Sequence, residues 1–232
     1  MKKIVASLLV IALAMLLFSI LNNEKLSTDS GEGEVVTSSL NAETPSEIIV
    51  TNEIGKHFDI PIASLPQFAT YLETEADVEA ELARIQFEFL SGDSDHFVLK
   101  YGCGNKRCNL LLVQITESDE VKTTDLGEGI FAGFEVFQQK AMLRIAENDG
   151  NEVVRHKIVL VDLHSMKFIH PQNQQLVERY FAEALYPITK FEWISETAIR
   201  LEIAELADTS YEAIAGWYQA VDSPVSTVEI EL

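Results

Sequence analysis

The sequence predicts an α+β domain: a mostly antiparallel β-sheet of hairpins and meanders, two or three packed helices, and a transmembrane or signal helix before them. Short runs of alternating apolar residues, separated by turn residues, fill the second half of the chain, which is the pattern of antiparallel strands. Only a few segments place apolar residues at helical spacing. Of the 232 residues, 47% are hydrophobic, a share typical of a folded domain rather than a disordered chain.

The N-terminus predicts a helix that directs the chain to a membrane. Lys2 and Lys3 precede an apolar stretch, Ile4–Leu21, in which Ser7 and Ser19 are the only polar residues. A helix of this length spans about 27 Å, just short of a bilayer's hydrocarbon core. Because no small-residue cleavage pattern follows closely, we expect an uncleaved signal anchor, with a cleaved signal peptide and a buried core helix as the alternatives.

Three segments follow from this interpretation. Residues 1–21 form the signal anchor or signal peptide. Residues 22–46 are rich in Ser, Thr, Asn, Gly and Glu, so we expect a flexible polar tether. Residues 47–232 form the globular domain, outside the cytoplasm and either tethered to the cell membrane or secreted after cleavage. The first segments contain no Cys, which excludes a lipoprotein anchor.

The chain is strongly acidic. Its net charge is −20, from 17 Lys and Arg against 37 Asp and Glu. Such a surface repels phosphate backbones and anionic lipid headgroups, so nucleic acid is not an expected partner. We expect the charge to keep the domain soluble and monomeric.

Helices are predicted at the start of the globular domain. Ser64 is placed to cap a short helix, and Thr74 with Asp77 resembles a capping box that begins a second one. Apolar residues follow each start at helical spacing: Leu65, Phe68, Tyr71 and Leu72, then Val78, Leu82, Ile85 and Phe89. The end of the second helix stays open, because its last apolar residues also alternate as in a strand.

Strands are predicted from Phe97 onward. The candidates are Phe97–Gly102, Asn109–Thr116, Gly133–Gln138, Met142–Ala146, Glu152–Leu163 and Met166–Ile169. The segment Asn148–Asn151 has the residues of a hairpin turn. Lys157–Leu163 is nearly all apolar, which indicates a central strand.

Two helices, one hairpin and a final strand complete the expected domain. The helix places one apolar face at Leu176, Val177, Tyr180, Phe181, Ala184 and Leu185; Pro171 suits its first turn and Pro187 ends it. A hairpin of Ile188–Ile194 with Ala198–Ala204, a short helix around Tyr211–Tyr218 and a final strand Val225–Leu232 follow.

Cys103 and Cys108 are the two cysteines of the chain, and four residues separate them between strand-like runs. If those runs form a hairpin, the two residues face each other at a distance that suits a disulfide, which an oxidising compartment would preserve. Redox chemistry and metal binding are weaker alternatives, because neither the spacing nor the number of ligands matches. Lys106 and Arg107, at the tip, form a basic spot that is either a contact point or solvated turn residues.

No named catalytic motif is present, and we assign no catalytic, cofactor-binding or metal-binding residue. His156, Asp162, His164 and His170 suggest a metal or acid/base site, but a strand would separate the first two by about 20 Å. The segment Glu147–Glu152 offers oxygen ligands for calcium, but it lacks the ligand spacing of an EF-hand, and a hairpin turn explains it without a metal.

The expected function is therefore a non-enzymatic binding or scaffolding domain of the cell envelope. Its partner would be an unknown envelope protein or polymer, and the membrane would be contacted through the N-terminal helix alone. The alternative is an envelope enzyme whose site uses two converging acids, one with a raised pKa. A cleft with such acids would favour the enzyme, and an apolar surface feature would favour binding.

Overall fold

The computed structural model describes residues 45–91, 95–150 and 152–232. The predicted signal anchor and nearly all of the predicted tether lie outside the described residues. Within the described ranges, no helix is long and apolar enough to cross a membrane.

Twelve strands form three sheets in the described part of the chain. They are β1 Glu47–Thr51, β2 His57–Pro61, β3 Gln86–Phe89, β4 His96–Tyr101, β5 Cys108–Ile115, β6 Val121–Phe137, β7 Lys140–Asp149, β8 Val153–Asp162, β9 Lys167–Phe168, β10 Ile188–Ser195, β11 Ala198–Ala204 and β12 Val225–Glu231. All of their pairings are antiparallel: β1 with β2, β3 through β9 as a meander, and β10 through β12. The predicted fold class, an antiparallel sheet with a few short helices, is confirmed.

The helices are short. They are a 3₁₀ turn Ile62–Ser64, α1 Pro66–Thr74, α2 Val78–Leu82, α3 Gln174–Val177, which continues as a π-helical turn over Glu178–Ala182, and α4 Tyr211–Gln219. Each α-helix after α1 begins at a side-chain cap, for example Ser210, which accepts a hydrogen bond from the Ala213 N–H at 3.3 Å.

The long strand β6 organises the central meander. Its first half pairs with β5, up to the Cys108–Gly129 position, and its second half pairs with β7, beginning at Ile130 and Ala146. One buried cluster contains Leu110 of β5 together with residues of β7 and β8. The part of the sheet before the middle of β6 therefore packs face to face with the part after it. A Cβ atom on Gly129 would lie 2.3 Å from Ile145 Cγ2, so this crossing requires glycine.

Two further cores cover the outer faces of the meander. One lies between β3–β5 and a layer made of β1, β2, α1 and α2, and includes Phe68, Phe97 and Leu111. The other lies between β7–β8, the π-helical turn and the sheet β10–β12, and includes Ile158, Tyr180 and Leu201. The alternation of the strands thus buries apolar residues on both faces of the central sheet.

The prediction that the domain opens with helices is wrong, because the hairpin β1–β2 comes first. Its buried residues alternate along each strand, and Ile48 lies opposite Ile60. Each strand is only five residues long and lies near the polar segment, so the alternation is too short to predict a strand. Ser64 donates to the Pro61 carbonyl at 2.6 Å instead of capping α1. Asp77, rather than Thr74, caps α2 by accepting from the Ala80 N–H at 3.0 Å.

Two predicted boundaries are also wrong, and one that the sequence leaves open is resolved. Helix α2 ends at Leu82, and the alternating residues Phe87 and Phe89 lie on β3. Strand β6 is 17 residues long, far beyond the predicted six, because its glycines conceal the alternation. The helix expected between the two prolines begins after its cap, Asn173, and its helical turns end at Ala182.

Candidate functional site

The predicted disulfide is present. Cys103 and Cys108 are bonded, with Cα atoms 4.0 Å apart, at the mouth of the β4–β5 hairpin. Lys106 and Arg107 are exposed in the closed loop, and an Arg107 guanidinium nitrogen lies 2.9 Å from Glu128 Oε2 on β6. The bond therefore holds a short basic loop beside the neighbouring strand.

His156 has a structural role in the folded chain. Its Nδ1 accepts a hydrogen bond from the Ile188 N–H at 3.0 Å, and its backbone N–H donates to the Tyr186 carbonyl at 2.8 Å. Burial, reinforced by the nearby charge of Arg144, lowers the pKa of His156 to about 4. The ring is neutral at neutral pH and joins β8 to the start of β10.

The other three candidates of that group do not converge with it. Asp162 Oδ1 accepts hydrogen bonds from the N–H and the hydroxyl of Ser165, both at 2.7 Å, and these bonds lower the pKa of Asp162. His164 is exposed in the same turn between β8 and β9. His170 follows β9, with its ring 6.2 Å from that of Phe168.

The acidic segment considered for calcium forms the turn between β7 and β8. Asp149 makes an ion pair with Arg155 at 3.4 Å, and Gly150 adopts a left-handed conformation with φ of 71°. Asn151 lies outside the described residues. The hairpin interpretation of this segment is thus the one that the pairing of β7 with β8 supports.

An apolar pocket of about 290 Å³ opens beside the edge of β8. Strand β8, the end of β9, helix α3 with its π-helical turn, and one residue of β6 surround it. The lining residues are Leu126, Lys157, Ile158, Val159, Leu160, Phe168, Ile169, His170, Val177, Phe181 and Ala182. Its volume is near the lower end of the range for ligand pockets, which are commonly apolar with a few polar groups.

The π-helical turn shapes one wall of this pocket. Tyr180 is buried in the core, 5.9 Å from the ring of Tyr186, and the Arg179 guanidinium lies 4.8 Å from the centre of that second ring. With Tyr180 fixed inward, Phe181 and Ala182 face the pocket. Single π turns in helices often accompany functional sites.

A second, polar cavity of about 470 Å³ adjoins the apolar pocket, and Lys157 belongs to both. The other residues lining the polar cavity are Lys106, Arg107, Glu128, Glu147 and Asn148. The cavity is therefore bordered by the disulfide-closed loop, β6, the end of β7 and the middle of β8. This arrangement joins the basic spot noted in the sequence to an apolar pocket that was not anticipated.

Sequence patterns alone missed the pocket because its walls come from elements distant along the chain. Phe168, which is 44% exposed, belongs to a segment that the sequence predicts only as a short strand. Phe181 falls on the apolar face of the predicted helix, a pattern that indicates packing against the domain and not a pocket. The signal that could have indicated the site is a lysine, Lys157, immediately before the apolar run Ile158–Val161.

In residues 45–91, 95–150 and 152–232, no group of three or more metal-ligating side chains is close enough to hold an ion. Carboxyl groups whose pKa values are clearly shifted include Asp162, Glu192 and Asp208, and each of these values is lowered by hydrogen bonds. Comparisons with protein-family models, curated proteins and solved structures found no match for this chain.

Proposed function

We propose that this chain is a non-enzymatic binding domain of the cell envelope, and that the pocket beside β8 holds an apolar group of its partner. The domain would work outside the cytoplasm, tethered by its N-terminal segment or secreted after cleavage. The observation that carries the proposal is the apolar pocket of about 290 Å³ with Phe168 exposed at it. An apolar surface of this kind is costly to leave in water and commonly serves binding.

The chemistry of the described side chains supports binding over catalysis. An acid/base site of two carboxylates needs one carboxyl group with a raised pKa. The shifted carboxyl pKa values named above are lowered, and burial lowers the pKa of both His96 and His156. Each of these two rings makes a backbone hydrogen bond, His96 Nε2 with the Leu163 carbonyl and His156 Nδ1 with the Ile188 N–H. The enzyme alternative therefore has no specific observation in its favour.

The test is photo-crosslinking of the full chain, held in phosphatidylcholine nanodiscs, with a diazirine-bearing fatty alcohol. Mass spectrometry should locate the crosslinks in 157–160 and 177–182. Filling the pocket with Ala182→Phe should lower this labelling about tenfold. The new ring takes up space in the pocket, so the probe loses the binding free energy of burying about one apolar group. The matched control is Ala220→Phe, at another exposed alanine just after α4, and should label like the wild type.

Phe168→Ala provides a second variant that removes a wall rather than filling the space. Since Phe168 is 44% exposed, its loss should leave the fold intact and lower the labelling five- to tenfold. Labelling that is spread over the domain surface, or that neither variant reduces, would refute the proposal.

A further inference from the structure

The two cavities beside β8 differ in character and meet at one residue. Among the side chains of the apolar pocket, only Lys157 and His170 are polar. The adjoining cavity is lined wholly by polar and charged side chains. Lys157 is half-buried and lines both cavities, so this residue marks the place where the apolar space adjoins the polar one.

The polar cavity is locally basic in a protein of net charge −20. Three basic residues and two carboxylates line it, and Arg107 is already paired with Glu128; the others are Lys106, Lys157 and Glu147. In the described ranges, Lys106 and Lys157 make no ion pair. Because salt screens charges beyond about 8 Å, the charge near a ligand counts more than the total charge of the protein.

We propose that the ligand is an amphiphile with one hydrocarbon chain and an anionic head group, of which a fatty acid is the simplest example. Its chain lies in the apolar pocket and its carboxylate pairs with Lys157, with Lys106 nearby. This inference rests on the proposed function and names the ligand class of the same site. A contact between a carboxylate and a half-buried amine is charge-assisted and stronger than a neutral hydrogen bond.

The lining also favours a hydrocarbon chain over a peptide as the occupant. Buried peptide groups need hydrogen-bond partners, and an unpaired one costs free energy. The side chains around the apolar pocket offer such partners only at Lys157 and His170. A hydrocarbon chain needs none, and each buried methylene contributes about 0.8 kcal/mol.

The experiment compares two photo-probes of equal chain length, a diazirine-bearing fatty acid and the matching fatty alcohol, on the full chain in phosphatidylcholine nanodiscs. We expect the acid to label 157–160 and 177–182 five- to tenfold more than the alcohol. Lys157→Glu should remove this preference while the alcohol still labels the pocket, and Lys157→Gln should reduce the preference. The control is Lys122→Glu, a half-buried strand lysine outside both cavities, which should keep the wild-type preference.

Equal labelling by the acid and the alcohol in the wild type would overturn the anionic head group while leaving the apolar pocket in place. Absence of pocket labelling by both probes would overturn the proposed function as well. Competition by an acetylated apolar tripeptide amide, with no competition by excess decanoate, would show that the pocket takes peptides and would also overturn the inference.

Discussion

Replacing His156 with Asn should remove a large part of the acid sensitivity of the fold. The Asn Oδ1 atom can occupy the place of the histidine Nδ1, which accepts the Ile188 N–H at 3.0 Å. The histidine can accept this bond only while its Nδ1 is unprotonated. Asn keeps the acceptor and has no proton to gain.

The size of the effect follows from the two pKa values of His156. In the unfolded chain the ring titrates near 6.5, and in the folded chain burial lowers the pKa to about 4. Above pH 6.5 the ring is neutral in both states and contributes no dependence on pH. Between pH 6.5 and 4 the unfolded state binds the proton and the folded state does not, so stability falls as the pH falls. The loss approaches about 3 kcal/mol at pH 4 and is about 2 kcal/mol at pH 5.

The assay is urea unfolding of the full chain between pH 8 and 4.5, followed by the fluorescence of Trp193 and Trp217. The difference between wild type and His156→Asn should change by about 2 kcal/mol between pH 7.5 and 5. Burial also lowers the pKa of His96, so the variant keeps a smaller slope of the same sign. His164→Asn, in an exposed turn, is the control and should follow the wild type. Stability curves for wild type and His156→Asn that stay parallel within about 0.5 kcal/mol would refute the reasoning.

Three other outcomes are expected. Replacing Cys103 and Cys108 with Ala should lower the free energy of unfolding by about 2 kcal/mol, because the bond closes a loop with a sequence separation of 5; two free thiols in protein from its native compartment would show that the bond is absent. Gly129→Ala should cost about 1–3 kcal/mol in a urea melt by forcing Ile145 aside, whereas Gly104→Ala, with open space around it, should be neutral. Limited proteolysis should cut first within 22–46, and protection there would contradict a flexible tether.

Much of the sheet could be predicted because each strand has its own local pattern. The run Lys157–Leu163 and the turn at Gly150 are enough to place β8 and the hairpin before it. The bend of β6 could not be predicted, because it depends on which strand pairs with each half of β6. The need for glycine at position 129 becomes visible only once Ile145 of β7 is known to pack against it. Local pattern therefore defines the strands, and packing defines how the sheet folds on itself.

The candidate site was less predictable than the fold. The disulfide followed from spacing and hairpin geometry, and the loop with Lys106 was recognised as a basic spot. Lys157, which lines the same polar cavity as Lys106, is 51 residues further along the chain. No local sequence pattern indicates that these two lysines lie at one cavity. Phe181 reaches the pocket through a π-helical turn, which sequence periodicity at 3.6 residues does not anticipate.

Hydrogen exchange of the full chain, measured by mass spectrometry with and without saturating decanoate, tests the binding site most directly. Ligand binding should slow exchange in β8 at 156–160 and in α3 with its π-helical turn at 174–182, while α4 stays unchanged. Helix α4 and the turn after it carry the exposed apolar residues Tyr211, Tyr218 and Val221, the last of which is 99% exposed, so they form the natural competing surface. Protection confined to 211–221, with none at β8, would contradict the assignment of the pocket.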